Sequence, residues 1–80
     1  MSELDHIVNY LKPNIIATGT TSVGLVTVAS AITEYQAADG TWYYEKWIED
    51  RGKVVRVASF SSPFQLQTKG VVERMKVVEA

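Results

Sequence analysis

Eighty residues make a single domain and leave no room for a second, because independently folding units run to roughly 50–250 residues. An apolar fraction of 46% with 21% charged residues and no cysteine excludes a disordered chain, a disulfide scaffold, thiolate metal sites and cysteine nucleophiles. Eight basic against nine acidic side chains, a net charge of −1, exclude the broad positive field that attracts nucleic-acid backbones. The lack of cysteine suits a reducing, cytoplasmic setting. The acidic start Met1-Ser2-Glu3-Leu4-Asp5 differs from a secretory signal, and no run of 18 apolar residues predicts a membrane span. A domain this small buries only about 60–65% of the surface of its unfolded chain. Size alone therefore points to oligomerisation as a source of stability.

The first dozen residues predict a helix. Ser2 can cap its free amides with Asp5 three residues on, Leu4, Ile7, Val8 and Leu11 recur at helical spacing, and Pro13 ends it after Lys12. Ile15-Ile16-Ala17 reads as a short strand, and Gly19-Thr20-Thr21-Ser22 has turn composition. Val23 to Gln36, rich in β-branched and small residues, predicts one long strand. Ala37-Ala38-Asp39-Gly40 predicts a hairpin into a strand from Thr41 to about Glu49. A tight turn over Asp50-Arg51-Gly52-Lys53 leads to a strand from Val54 to Ser61, which Pro63 breaks. Phe64 to Thr68 alternates with period two and predicts a further strand, with Gly70 at a bulge or turn. Val71 to Val78 fits either a strand, favoured by its valines, or a helix with Val71, Val72, Met75 and Val78 on one face. The predicted fold is α+β: a short N-terminal helix packed on a four- to five-stranded antiparallel meander sheet, curled toward a partial barrel.

With Glu49 opposite Val54, counting along the hairpin sets Trp42, Tyr44, Lys46 and Ile48 on one face and Tyr43, Glu45, Trp47 and Glu49 on the other. The same count puts Val54, Arg56, Ala58 and Phe60 beside the second set. Both faces carry large apolar groups, and one short helix covers only one of them. A second copy of the chain or a protein partner is the expected cover, with Tyr43, Trp47, Arg56 and Phe60 as the interaction residues and Trp42 and Tyr44 as those of the opposite face.

Other constellations point nowhere as specific. Gly19 and Gly24 have phosphate-loop spacing, but Leu25-Val26 stand where a lysine and a hydroxyl belong, so no nucleotide motif is present. His6 falls on the polar face of its helix with no evident orienting carboxylate, which reads as surface. Glu3 and Asp5 lack metal-ligand spacing, and no cofactor or metal is expected. A two-residue Asp39-Gly40 turn would set Glu34 against Glu45 as a carboxylate pair, and a different register would separate them. The aromatics and bases of Trp42 to Arg56 resemble a single-strand binder. However, Lys46, Arg51, Lys53 and Arg56 against Glu45, Glu49 and Asp50 leave only +1 over residues 41–63. The hairpin pattern from Asp39-Gly40-Thr41-Trp42-Tyr43-Tyr44 through Arg51-Gly52-Lys53-Val54-Val55 resembles that of cone-shaped ligand-binding folds similar to nuclear transport factor two, over less than half the chain and without their closing helices. The expected function is a small protein-interaction module that associates with itself or a protein partner through an aromatic sheet face or edge. The alternative is a small-molecule-binding, cone-like domain with an interface pocket that could support catalysis.

Overall fold

The computed structural model describes residues 3–79. Helix α1 (Glu3–Leu11) is followed by strands β1 (Ile15–Val23), β2 (Val26–Gln36), β3 (Trp42–Asp50) and β4 (Lys53–Ser62), helix α2 (Thr68–Met75) and a two-residue strand β5 (Val78–Glu79). The sheet is antiparallel in the order β4-β3-β2-β1-β5. It stays open, with β4 and β5 at its edges, so the predicted α+β meander is present and the curl toward a barrel is not. The Ser2 cap lies outside the described residues.

Two strands meet where the sequence suggested one. Val23 pairs with Val26 across a two-residue loop of Gly24 and Leu25, and Gly24 takes φ 63°. A positive φ at the first loop position only is the pattern of a II′ hairpin, which glycine enters without steric cost. Gly19-Thr20-Thr21-Ser22, read as a turn, is therefore mid-strand, where its threonines fit the pleat. The β3–β4 turn is as expected: Arg51 and Gly52 both have positive φ, as in a I′ turn, and Glu49 lies opposite Val54. Between β2 and β3 the connection is longer than Asp39-Gly40. The Ala37 amide donates to the Thr41 carbonyl at 2.8 Å, and Asp39 Oδ1 accepts the Thr41 amide at 2.9 Å, a bond that lowers the Asp39 pKa.

The predicted strand from Phe64 to Thr68 is absent. Ser62 Oγ donates to the Phe64 carbonyl at 2.6 Å and accepts the Phe64 amide at 3.3 Å, folding the chain back at Pro63 before it could pair beyond β4. The tail then forms both alternatives in turn. Val71, Val72 and Met75 are buried on one side of α2, and Gly70, read as a bulge, is an exposed helical residue. Burial of that stripe outweighs the weak helix preference of valine. Lys76 ends the helix in the left-handed region, at φ 58° and ψ 46°, and Val78 then pairs with Thr20. That pairing needs a glycine beside it, because a Cβ on Gly19 would run into the Val78 carbonyl.

The helices lie on opposite faces of the sheet. Ala17, Ile32 and Tyr44 form one core with Val71, Val72, Met75 and Val77, flanked by Trp42, Phe60 and Leu66. On the other face α1 lies over β1, β2 and β3, with Ile7 fully buried and His6 reaching Glu49. A second helix, α2, thus packs on the Tyr44 face, where the sequence suggested one short helix for the whole sheet.

Candidate functional site

The six aromatic and arginine positions singled out above separate by a single irregularity. From the Arg51–Gly52 turn the pairs run Glu49–Val54, Ile48–Val55 and Trp47–Arg56, then jump to Lys46–Ala58, so that Val57 is an extra residue. Such a bulge shifts every later side chain by one position. Phe60 therefore lies opposite Tyr44 on the α2 face, not beside Tyr43 and Trp47. The Tyr44 and Phe60 rings stack at 5.2 Å between centroids, and the Arg74 guanidinium sits 3.9 Å over Phe60.

Tyr44 belongs to the core, with 0% of its surface exposed, and so has no surface to offer a partner. Its hydroxyl donates to Glu34 Oε2 at 2.9 Å and accepts the Leu66 amide at 2.8 Å, while Gln65 Nε2 donates to Glu34 Oε1 at 3.1 Å. Burial pushes the Tyr44 phenol above its usual value near 10; the Leu66 amide opposes that shift and the Glu34 carboxylate adds to it. This network pins the loop after β4 to the sheet. Trp42 is half-buried and packs against the same core.

The α1 face holds the other three. Trp47 Nε1 donates to Thr33 Oγ1 at 2.9 Å, Thr33 Oγ1 lies 3.5 Å from Glu45 Oε1, and Arg56 donates to Glu45 Oε2 at 2.6 Å. Trp47 and Arg56 are opposite one another, as the turn register required. Tyr43 stacks on Tyr35 at 5.2 Å. Thr33 pairs with Glu45 and Glu34 with Tyr44, so Glu34 and Glu45 fall on opposite faces and form no carboxylate pair.

Two features escaped the sequence reading. His6 Nδ1 lies 2.6 Å from Glu49 Oε2, a buried atom with no hydrogen-bond partner. Glu49, 7% exposed, also accepts the Gly52 amide at 2.8 Å, linking α1 to the β3–β4 turn. Nothing local signals this pair, since the partners lie 43 positions apart in sequence. Beside Glu49, a cavity of about 700 Å³ opens at the end of the sheet between Val23, Val26, Val28, Ile48 and Arg51.

The second is that β4 is an edge of the sheet, because no strand forms at Phe64 to Thr68 to flank it. Among the described residues β4 pairs only with β3, and most of its ten residues are exposed, Val55 at 37% and Val57 at 49%. No family model, curated protein or solved structure matches the chain. Among the described residues no helix is long and apolar enough to cross a membrane.

Proposed function

We propose that the domain is a protein-interaction module that self-associates by pairing the β4 edges of two copies, in a cytoplasmic setting. The observation that carries the reading is the ten-residue edge strand with exposed valines. An unpaired edge of that length presents a row of backbone donors and acceptors, which is how strand addition recognises a partner. The bulge favours one register. With Val57 the extra residue, Lys53, Val55, Ala58, Phe60 and Ser62 lie on the α2 face, and Val54, Arg56, Ser59 and Ser61 on the α1 face. A two-fold pairing centred between Val57 and Ala58 then matches each face with itself. It sets Val55 against Phe60, Lys53 against Ser62 and Arg56 against Ser59, with no like charges opposed.

Sedimentation velocity from micromolar to hundreds of micromolar tests this. A dimer is expected, and Val57→Lys is expected to return it to monomer with an unchanged circular dichroism spectrum, because an edge lysine blocks strand addition. A wild-type mass of 8.9 kDa throughout would refute the proposal, and would assign Lys53 and the bulge the opposite role of blunting the edge.

The second reading, small-molecule binding, rests on the cavity beside Glu49. Its size lies within the roughly 300–1,000 Å³ of ligand sites, and Val23, Val26, Val28 and Ile48 share its walls with Glu3, Glu49, Asp50 and Arg51. Filling it with Val26→Trp would abolish uptake of an apolar dye on this reading and leave the dimer intact.

A further inference from the structure

At the sheet edge opposite β4, beside β5, the end of β1 and the segment after α2 border an open cleft of about 350 Å³ lined by Thr20, Thr21, Ser22, Thr27, Lys46, Lys76 and Val78. We propose that this cleft binds a tetrahedral oxyanion, inorganic phosphate or a small phosphate monoester, between the ammonium groups of Lys46 and Lys76.

Lys46 is on β3, and its Nζ donates to Thr21 Oγ1 on β1 at 2.8 Å. Because β2 lies between those strands, the lysine stem crosses the full width of β2 to bring its charge to the β1 edge. Thr21 in turn donates to the Lys76 carbonyl at 3.2 Å, which ties the end of α2 to the same point. The described ion pairs His6–Glu49, Arg51–Asp50 and Arg56–Glu45 include neither lysine. No acidic residue lines the cleft.

Stability alone does not account for this placement. Burial, and then the positive charge of Lys76, press the Lys46 ammonium toward its neutral form, lowering its pKa from the ordinary 10.5. Lys76 occupies a left-handed helix C-cap, a position glycine takes without penalty and other residues take under strain. Two convergent cations, one partly desolvated and one on a strained backbone, are a standing repulsion that an anion would relieve. Thr20, Ser22 and Thr27 also line the cleft, and Thr21, whose hydroxyl gives its proton to the Lys76 carbonyl, holds the Lys46 ammonium in place. A volume near the lower end of ligand sites suits a small phosphate rather than a nucleotide. The cleft lies at the far edge from β4, so it stays open in a β4 dimer and its occupancy is independent of that proposal.

The test is a titration of the full chain with sodium phosphate at ionic strength held constant with chloride, read by amide chemical shifts in a heteronuclear spectrum. The expected result is saturable shifts centred on Thr21, Ser22 and Lys76, with affinity weakened at least about tenfold in Lys46→Met and in Lys76→Gly, the cost of losing one charge-assisted contact. Lys76→Gly relieves the backbone strain, so it should fold at least as well as the wild type and keeps the test decisive should Lys46→Met misfold. Lys69→Met, on the exposed start of α2, should bind as the wild type does. Methyl phosphate binding more tightly than phosphate would identify a monoester as the ligand, and equal binding would identify the free anion. Shifts that chloride reproduces, that fail to saturate, or that survive unchanged in Lys76→Gly would overturn the proposal.

Discussion

Tyr44→Phe removes one oxygen from the centre of the molecule and is expected to cost far more than a surface hydroxyl. In the wild type that oxygen accepts the Leu66 amide at 2.8 Å and donates to Glu34 at 2.9 Å, at a side chain with no exposed surface. A buried amide left without an acceptor costs about 1–3 kcal/mol, and the lost bond to a carboxylate adds on the order of 1 kcal/mol, since Glu34 keeps Gln65. The expected loss is about 2–3 kcal/mol, from a total that for 80 residues is roughly 4–12 kcal/mol. Urea denaturation followed by circular dichroism measures it directly, and the thermal midpoint should fall by roughly 10–20 °C. The same oxygen predicts an alkaline limb. With the folded pKa of Tyr44 raised above 10, the unfolded chain loses its proton first, so the stabilisation is complete below pH 10 and is lost as pH rises through the folded value. Tyr44→Phe should flatten that limb relative to wild type. A variant within about 0.5 kcal/mol of wild type, or one with the same alkaline slope, would refute the assignment of Leu66 and Glu34 as its partners.

Three further outcomes follow from named contacts. His6→Ala should cost about 1–2 kcal/mol in urea, less than a fully buried pair because the histidine is partly exposed, since it strands the Glu49 Oε2 atom; an unchanged midpoint would show that water satisfies that oxygen. Gly19→Ala should detach β5, because its methyl would meet the Val78 carbonyl, and hydrogen exchange at the Val78 and Glu79 amides should accelerate while the β2–β3 amides hold. Trp47→Ala should cost about 1.5–3 kcal/mol and leave a folded chain, since the indole is half-buried and holds one bond to Thr33; loss of the folded signal would make Trp47 a core residue.

The fold was legible where local chemistry decides it. The apolar spacing of Leu4, Ile7, Val8 and Leu11 marks α1, and Arg51-Gly52 marks a turn whose register follows by counting. It was less legible where two weak signals compete. Gly24 was the better hairpin signal in the Val23 to Gln36 run, yet it stands among β-branched residues, and Thr20-Thr21 drew the turn four residues too early. In the tail, valines argue for a strand while the spacing of Val71, Val72 and Met75 argues for a helix. The apolar core on Tyr44 decides between them, and no window of sequence shows that core.

The candidate residues show the same division more sharply. Counting from the turn places Trp47 opposite Arg56 correctly and then fails one residue later, because no proline or glycine announces the extra residue at Val57. That one residue carries Phe60 from the α1 face to the α2 face, where it stacks on Tyr44. It also decides how two edges can meet. Without the bulge, the face-matching two-fold register of β4 would need residues of equal parity opposite one another, and the pairings near its middle would set Val57 on itself or Arg56 on Ala58. With it, every cation faces a serine and Val55 faces Phe60. A deletion of Val57 should restore the regular pairing with β3 while leaving Lys46 opposite Ala58 and Phe60 opposite Tyr44, so the monomer should stay folded. Val57→Lys should affect the dimer alone.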